Sequence, residues 1–241
     1  MAVADDIPRS WSIVSLAALL LLAVAPPWLC IALGGASWRL VAAGALIWLA
    51  SVLVKRLVVV AMRPLFRGLP SMAVAAMQGV ISAVTELAPA AAFLATLPSA
   101  TLPDLLGFGA GAGSTEVVYV LVIGIIWPQL DQEELAAWLR GGTVSWCVRY
   151  AVPIERLFAL IGHVGARGLL YVALMDRSWL GPIWGLVAAM LFAIVDGVAI
   201  YGHLHRWPWH DPLICRRAHS FFAAMSLGEF TLLLIGFRSL G

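Results

Sequence analysis

Glu86, Glu116, His163, Arg167 and Asp196 each sit inside a run of residues that is otherwise hydrocarbon. Carboxylates and an imidazole at such positions can activate a water, hold a metal ion or pass protons. A guanidinium can only donate hydrogen bonds and balance negative charge. Placing ionised groups in lipid costs several kcal/mol each, so they normally face a protein interior or a wet cavity and mark a site.

The neighbouring residues sharpen these assignments. Gly109-Ala110-Gly111-Ala112-Gly113 leads through Ser114 and Thr115 into Glu116. Glycines at alternate positions permit close helix approach or a locally unwound backbone, which would present Glu116 to a cavity. Simple tight packing is the competing explanation. Glu155 and Arg156 begin the deep part of the next polar segment, where they suit a structural ion pair. His163 lies two turns beyond Glu155, and its i,i+4 spacing to Arg167 puts both on one helix face. Asp196 precedes Gly197, again allowing close approach. As a helix-end carboxylate it could equally pair with an arginine. His203, His205, His210, Cys215 and His219 form a further group of metal-ligand types, with Trp207 and Trp209 between them. Their spacing matches no metal motif, and an aromatic, basic loop on anionic headgroups is the simpler account. Asp131-Gln132-Glu133-Glu134 reads as a solvated loop or short helix. No phosphate-cradling loop, diagnostic Ser/His/Asp spacing or nucleic-acid signature is present.

These residues need elements to carry them, and composition says which. The chain has 241 residues, 62% of them hydrophobic and only 12% charged, with a mean hydropathy of +0.96. A soluble domain carries about twice that charge. The long apolar runs predict an all-α, polytopic transmembrane helical bundle forming a single membrane domain over residues 1–241. About seven spans are expected. They run roughly Trp11–Leu33, Trp38–Val60, Pro70–Leu97, Asp104–Trp127, Val144–Leu174, Trp179–Tyr201 and Ala218–Phe237. The fifth is too long for a minimal span, so its start should be interfacial. Pro26, Pro27, Pro89 and Pro153 are expected to break or kink helices. Trp11, Trp38, Trp127 and Trp179 mark span ends, as an interfacial belt requires. Cys30, Cys147 and Cys215 are scattered and suggest no disulfide framework. Asp5 and Asp6 ahead of the first run argue against a cleavable signal peptide.

Seven spans place Arg9, Lys55, Arg56, Arg63, Arg67, Arg140, Arg149, Arg206, Arg216 and Arg217 on one side, and Arg39, Arg177 and Arg238 on the other. The excess of positive charge on cytoplasmic loops then puts the N-terminus inside and the C-terminus outside an inner or plasma membrane. Glu86, Glu116 and His163 fall at similar depth in three successive spans, with Asp196 toward the cytoplasmic part of the next.

The order of these motifs resembles the YhfC-type intramembrane metalloproteases, relatives of the broad CPBP (CAAX protease and bacteriocin-processing) family. The similarity runs over residues 78–201. In that family paired glutamates begin the site, with an arginine three residues after the pair. Here the stretch reads Thr85-Glu86-Leu87-Ala88-Pro89, so the first glutamate is Thr85 and the arginine is Pro89. The Gly-His-Gly block reads Gly111-Ala112-Gly113, with Glu116 kept. Glu155-Arg156 and His163 are kept, a small residue one turn later is Arg167, and His-x-x-x-Asp reads Phe192-Ala193-Ile194-Val195-Asp196.

The resemblance implies two classes of function. In one, the chain is an active intramembrane hydrolase. Glu86 or Glu116 activates water, and His163 is a metal ligand or acid/base. Asp196 orients it, and His163, Glu116 and Asp196 hold zinc or another divalent metal. In the other, the chain is a non-catalytic member of the scaffold. Arg167 stands where the metal's charge is missing and joins Glu155, Arg156 and Asp196 in a structural ion network. The old cleft, with Gly109, Gly111 and Gly113, binds a membrane partner or substrate helix, as in a subunit of a larger membrane complex. The lost glutamate and histidines favour the second class. A small transporter or proton relay is a third reading, without inverted-repeat symmetry to support it.

Overall fold

The structure is a computed structural model that describes residues 9–126 and 131–240. All regular elements among the described residues are helices: α1 (Arg9–Ala32), α2 (Trp38–Phe66), α3 (Ser71–Leu94), α4 (Leu102–Ile126), α5 (Gln132–Val144), α6 (Trp146–Arg149), α7 (Ala151–Met175), α8 (Gly181–Leu204) and α9 (Pro212–Arg238). Seven of them, all but α5 and α6, are long and apolar enough to cross a membrane. The chain is therefore a multi-pass helical bundle with bilayer-facing helices.

Two of the expected boundaries shift for physical reasons. The overlong fifth segment divides at Ser145 and Tyr150, so that α6 and a backbone break precede the span proper. Pro153 falls in the first turn of α7, where a missing N–H removes no helical bond. The last span starts earlier than hydropathy suggests. Asp211 accepts from the Leu213 and Ile214 backbone N–H groups at 2.8 and 3.0 Å, and Pro212 opens the helix. Pro26, Pro27 and Pro89 do not break their helices: α1 and α3 run on through them. Trp127, expected to close the fourth span, lies outside the described residues.

Burial is arranged as lipid requires. α1 and α2 turn Leu, Val and Ile side chains outward, and α7 is the most enclosed span. It packs against α4, α8, α9 and α3, while α2 and α1 pack on α4 and α3 pairs with α8. Glycines bring these backbones together. A Cβ at Gly109 or Gly113 would run into the backbone of α7 at Val164 or Leu160, and one at Gly111 into the Val41 carbonyl of α2. The glycine block is thus regular helix seated between two neighbours, and no unwinding occurs there. The amphipathic α5, capped by Asp131 through a 2.8 Å bond from the Glu134 N–H, begins at the acidic patch. It is tied to the start of α1, where Arg149 stacks on the Trp11 ring and donates to the Gly142 carbonyl at 2.9 Å.

Candidate functional site

The enclosure of α7 forces its polar residues to find partners on other spans. His163 and Arg167 follow one another by one turn, and both are buried, Arg167 to 1% exposure. Arg167 Nη1 lies 2.5 Å from His163 Nδ1. A guanidinium has no acceptor, so Nδ1 must carry the lone pair and Nε2 the proton. That proton is donated to Glu116 Oε2 of α4. The other oxygen of Glu116 accepts from Arg156 Nη1 at 2.5 Å, and Arg156 Nη2 donates to Glu155 at 2.8 Å. One continuous chain of bonds therefore runs Arg167, His163, Glu116, Arg156, Glu155.

A second chain lies beside it. Lys55 of α2 donates to Glu86 Oε1 of α3 at 2.5 Å and to Ser82 Oγ at 3.1 Å, with Asp196 of α8 at 3.7 Å. Ser82 has one proton, and it goes to Asp196 Oδ2. Arg167 Nη2 stands 3.7 Å from Glu86 Oε2 and joins the two halves. Glu229 of α9 is buried nearby, and its Oε1 has no partner, like Glu86 Oε2 and Arg167 Nη2. These groups border a cavity of about 120 Å³ lined by Glu86, Glu116, His163, Asp196, Lys55 and Glu229, among others. It is roomy and polar enough for several waters, the usual partners of such orphaned atoms. Val195 and Ala199 of α8, Phe222 and Ser226 of α9, and Ala159 and Gly162 of α7 also line it.

Of the ionisable residues that the apolar runs contain, Glu86, Glu116, Glu155, Arg156, His163 and Asp196 thus line one cavity, and Arg167 lies behind it, bonded to His163. Gly109, Gly111 and Gly113 do not line it and act in helix contacts instead. The sequence reading missed Lys55, Ser82, Ser226 and Glu229. Lys55 reads from the sequence as a cytoplasmic-side charge, although after Arg56 the apolar run resumes from Leu57 to Met62 and α2 continues to Phe66. Glu229 was as visible as the others, a lone carboxyl within an apolar run.

As placed, the donor set does not fit a resident metal. His163 has its lone pair taken by a guanidinium, both oxygens of Glu116 are engaged, and three cations stand among the carboxylates. Asp196 is held by a lysine and a serine, with no arginine involved.

The histidine-rich turn separates into two groups. His205 bonds Ser71 at 2.7 Å and stacks on Tyr201, while His203 packs on Trp209. Cys215 and His219 turn inward and meet Cys147 of α6.

No family model, curated protein or solved structure matches the chain, so the reading of this site rests on its own geometry.

Proposed function

We propose that the chain is a non-catalytic relative of the intramembrane-protease scaffold that binds a membrane partner or substrate helix, working as a subunit of a larger membrane complex. The observation that carries this reading is the engagement of His163: one nitrogen accepts from Arg167 and the other donates to Glu116, leaving the imidazole no lone pair for a metal or for a substrate's proton. The ion network instead joins α2, α3, α4, α7 and α8 across the interior, the use expected of a charge cluster that fixes helix register. The small residues Ala159 and Ala199 beside the cavity suit close approach of another helix. By its loop charges the N-terminus is cytoplasmic, the C-terminus is outside, and the membrane is an inner or plasma membrane.

The hydrolase reading draws on a different observation, a cavity with room for water that touches Glu86, Glu116, His163 and Asp196 together. The same set would serve a proton relay. Elemental analysis of the purified full chain, beside Glu116→Gln and His163→Ala, separates them. Metal content that neither substitution changes is expected. A near-stoichiometric ion lost in both variants would overturn the proposal and require Arg167 to swing away. A photo-crosslinking residue at Ala199 is expected to capture a membrane-embedded polypeptide in intact membranes, and Ala159→Leu to prevent it.

A further inference from the structure

Remote from that network, Cys147 on α6 meets Cys215 and His219, one turn apart on α9. The two Sγ atoms are 3.4 Å apart, and His219 Nδ1 lies 3.4 Å from Cys147 Sγ and 3.3 Å from Cys215 Sγ. A tetrahedral zinc ion, with bonds of about 2.3 Å to sulfur and 2.0–2.1 Å to nitrogen, holds such ligands about 3.5–3.8 Å apart. The triangle needs to open by only a few tenths of an ångström to take one.

The orientation of the imidazole is the second observation. His219 Nε2 lies 3.1 Å from the Ala151 carbonyl oxygen, which can only accept, so Nε2 carries the proton. This is the outer hydrogen bond that metal-ligating histidines characteristically make, and it turns Nδ1 toward the two sulfurs. Nδ1 also lies 2.8 Å from the Cys215 carbonyl oxygen, to which it can donate its own proton while no metal is bound. Loss of the protons that these groups share without a metal would leave one nitrogen and two sulfur donors converging on a single point. All three side chains are buried, and Val148, Ala151 and Trp138 pack around the thiols. Two soft thiolates and an imidazole select a borderline-soft divalent ion over magnesium or calcium.

We propose that Cys147, Cys215 and His219 bind a zinc ion that fastens α6 to α9, with the fourth position open to water or the Cys215 carbonyl. On binding, the two thiols release their protons to solvent, so two thiolates balance the charge of Zn²⁺. This site is independent of the reading of the Glu116–His163 network.

The test is zinc content of the full chain purified in detergent under reducing conditions, with cobalt(II) loading of the metal-stripped protein. About one zinc per chain is expected. It should fall at least tenfold in Cys147→Ser, Cys215→Ser and His219→Ala, and persist in Cys30→Ser, Glu116→Gln and His163→Ala. Cobalt should give the thiolate charge-transfer and visible bands of a tetrahedral centre. The cobalt spectrum of wild type decides the matter even where a variant fails to fold. Zinc that survives all three ligand substitutions overturns the proposal. So does a wild-type protein without zinc and without thiolate–cobalt bands, in which case the pair are two thiols able to join as a disulfide.

Discussion

His163 has one lone pair and one proton to offer, and Arg167 and Glu116 take them. Removing Arg167 therefore strands His163 and takes one of two cations from Glu86. Arg167→Ala is expected to destabilise the bundle by about 3 kcal/mol, the usual cost of breaking a buried ionic contact. An unchanged melting temperature in detergent would refute the pairing. Lys55 is one-quarter exposed, and its substitution should cost less, roughly 1–3 kcal/mol for Lys55→Met. Because it is shared between Glu86 and Asp196, the loss should be partly recovered by adding Glu86→Gln. A double-mutant cycle should give a coupling of about 1–2 kcal/mol, and additive effects would show that the contact is not made. At this scale much was legible. A carboxylate or guanidinium in an apolar run has few physical excuses, so Glu86, Glu116 and Arg167 stood out. Lys55 did not, because a cation near a helix end reads equally well as a loop anchor. Ser82 carries no charge to betray it, yet its hydroxyl donates a hydrogen bond to Asp196.

Among the helices, glycine divides into two kinds that composition cannot separate. At Gly111 a methyl group would meet the Val41 carbonyl, while at Gly228, on α9, nothing lies within 4 Å. Gly111→Ala should therefore destabilise by about 1–3 kcal/mol through backbone displacement. Gly228→Ala should be neutral or stabilise by up to about 1 kcal/mol. Thermal unfolding of the pair in one detergent checks this, and equal responses would show that the α2–α4 contact is looser than described. The spans themselves were readable from length and hydropathy. Their ends were not, because caps decide them: Asp211 pulls the start of α9 outward, and the break at Tyr150 separates α6 from α7. Pro26, Pro27 and Pro89 were misleading. In a membrane, helix-breaking residues are tolerated because neighbouring helices and local adjustments serve the freed carbonyls.

At the scale of the whole molecule, the orientation proposed from the uneven Lys and Arg distribution can be read with reporter fusions. An alkaline phosphatase fused after Gly241 should be active and a fluorescent protein there dark, with the opposite result for fusions truncated after Gly68. Inverted results would reverse the orientation and put the α5–α6 region on the far side. The enclosure of α7 has another consequence, for how the protein is made. The helix that sits deepest among its neighbours is also the one bearing Glu155, Arg156, His163 and Arg167. An arginine at a helix centre opposes insertion by about 3 kcal/mol, so this segment has little reason to enter lipid alone. Its partners Glu86 and Glu116 are synthesised before it and are already waiting in the bilayer. A lone α7 fused to a glycosylation reporter should insert poorly, and the same segment preceded by α1–α4 should insert well. The carboxylates that close the network would then also be what draws its last cations across the membrane during synthesis.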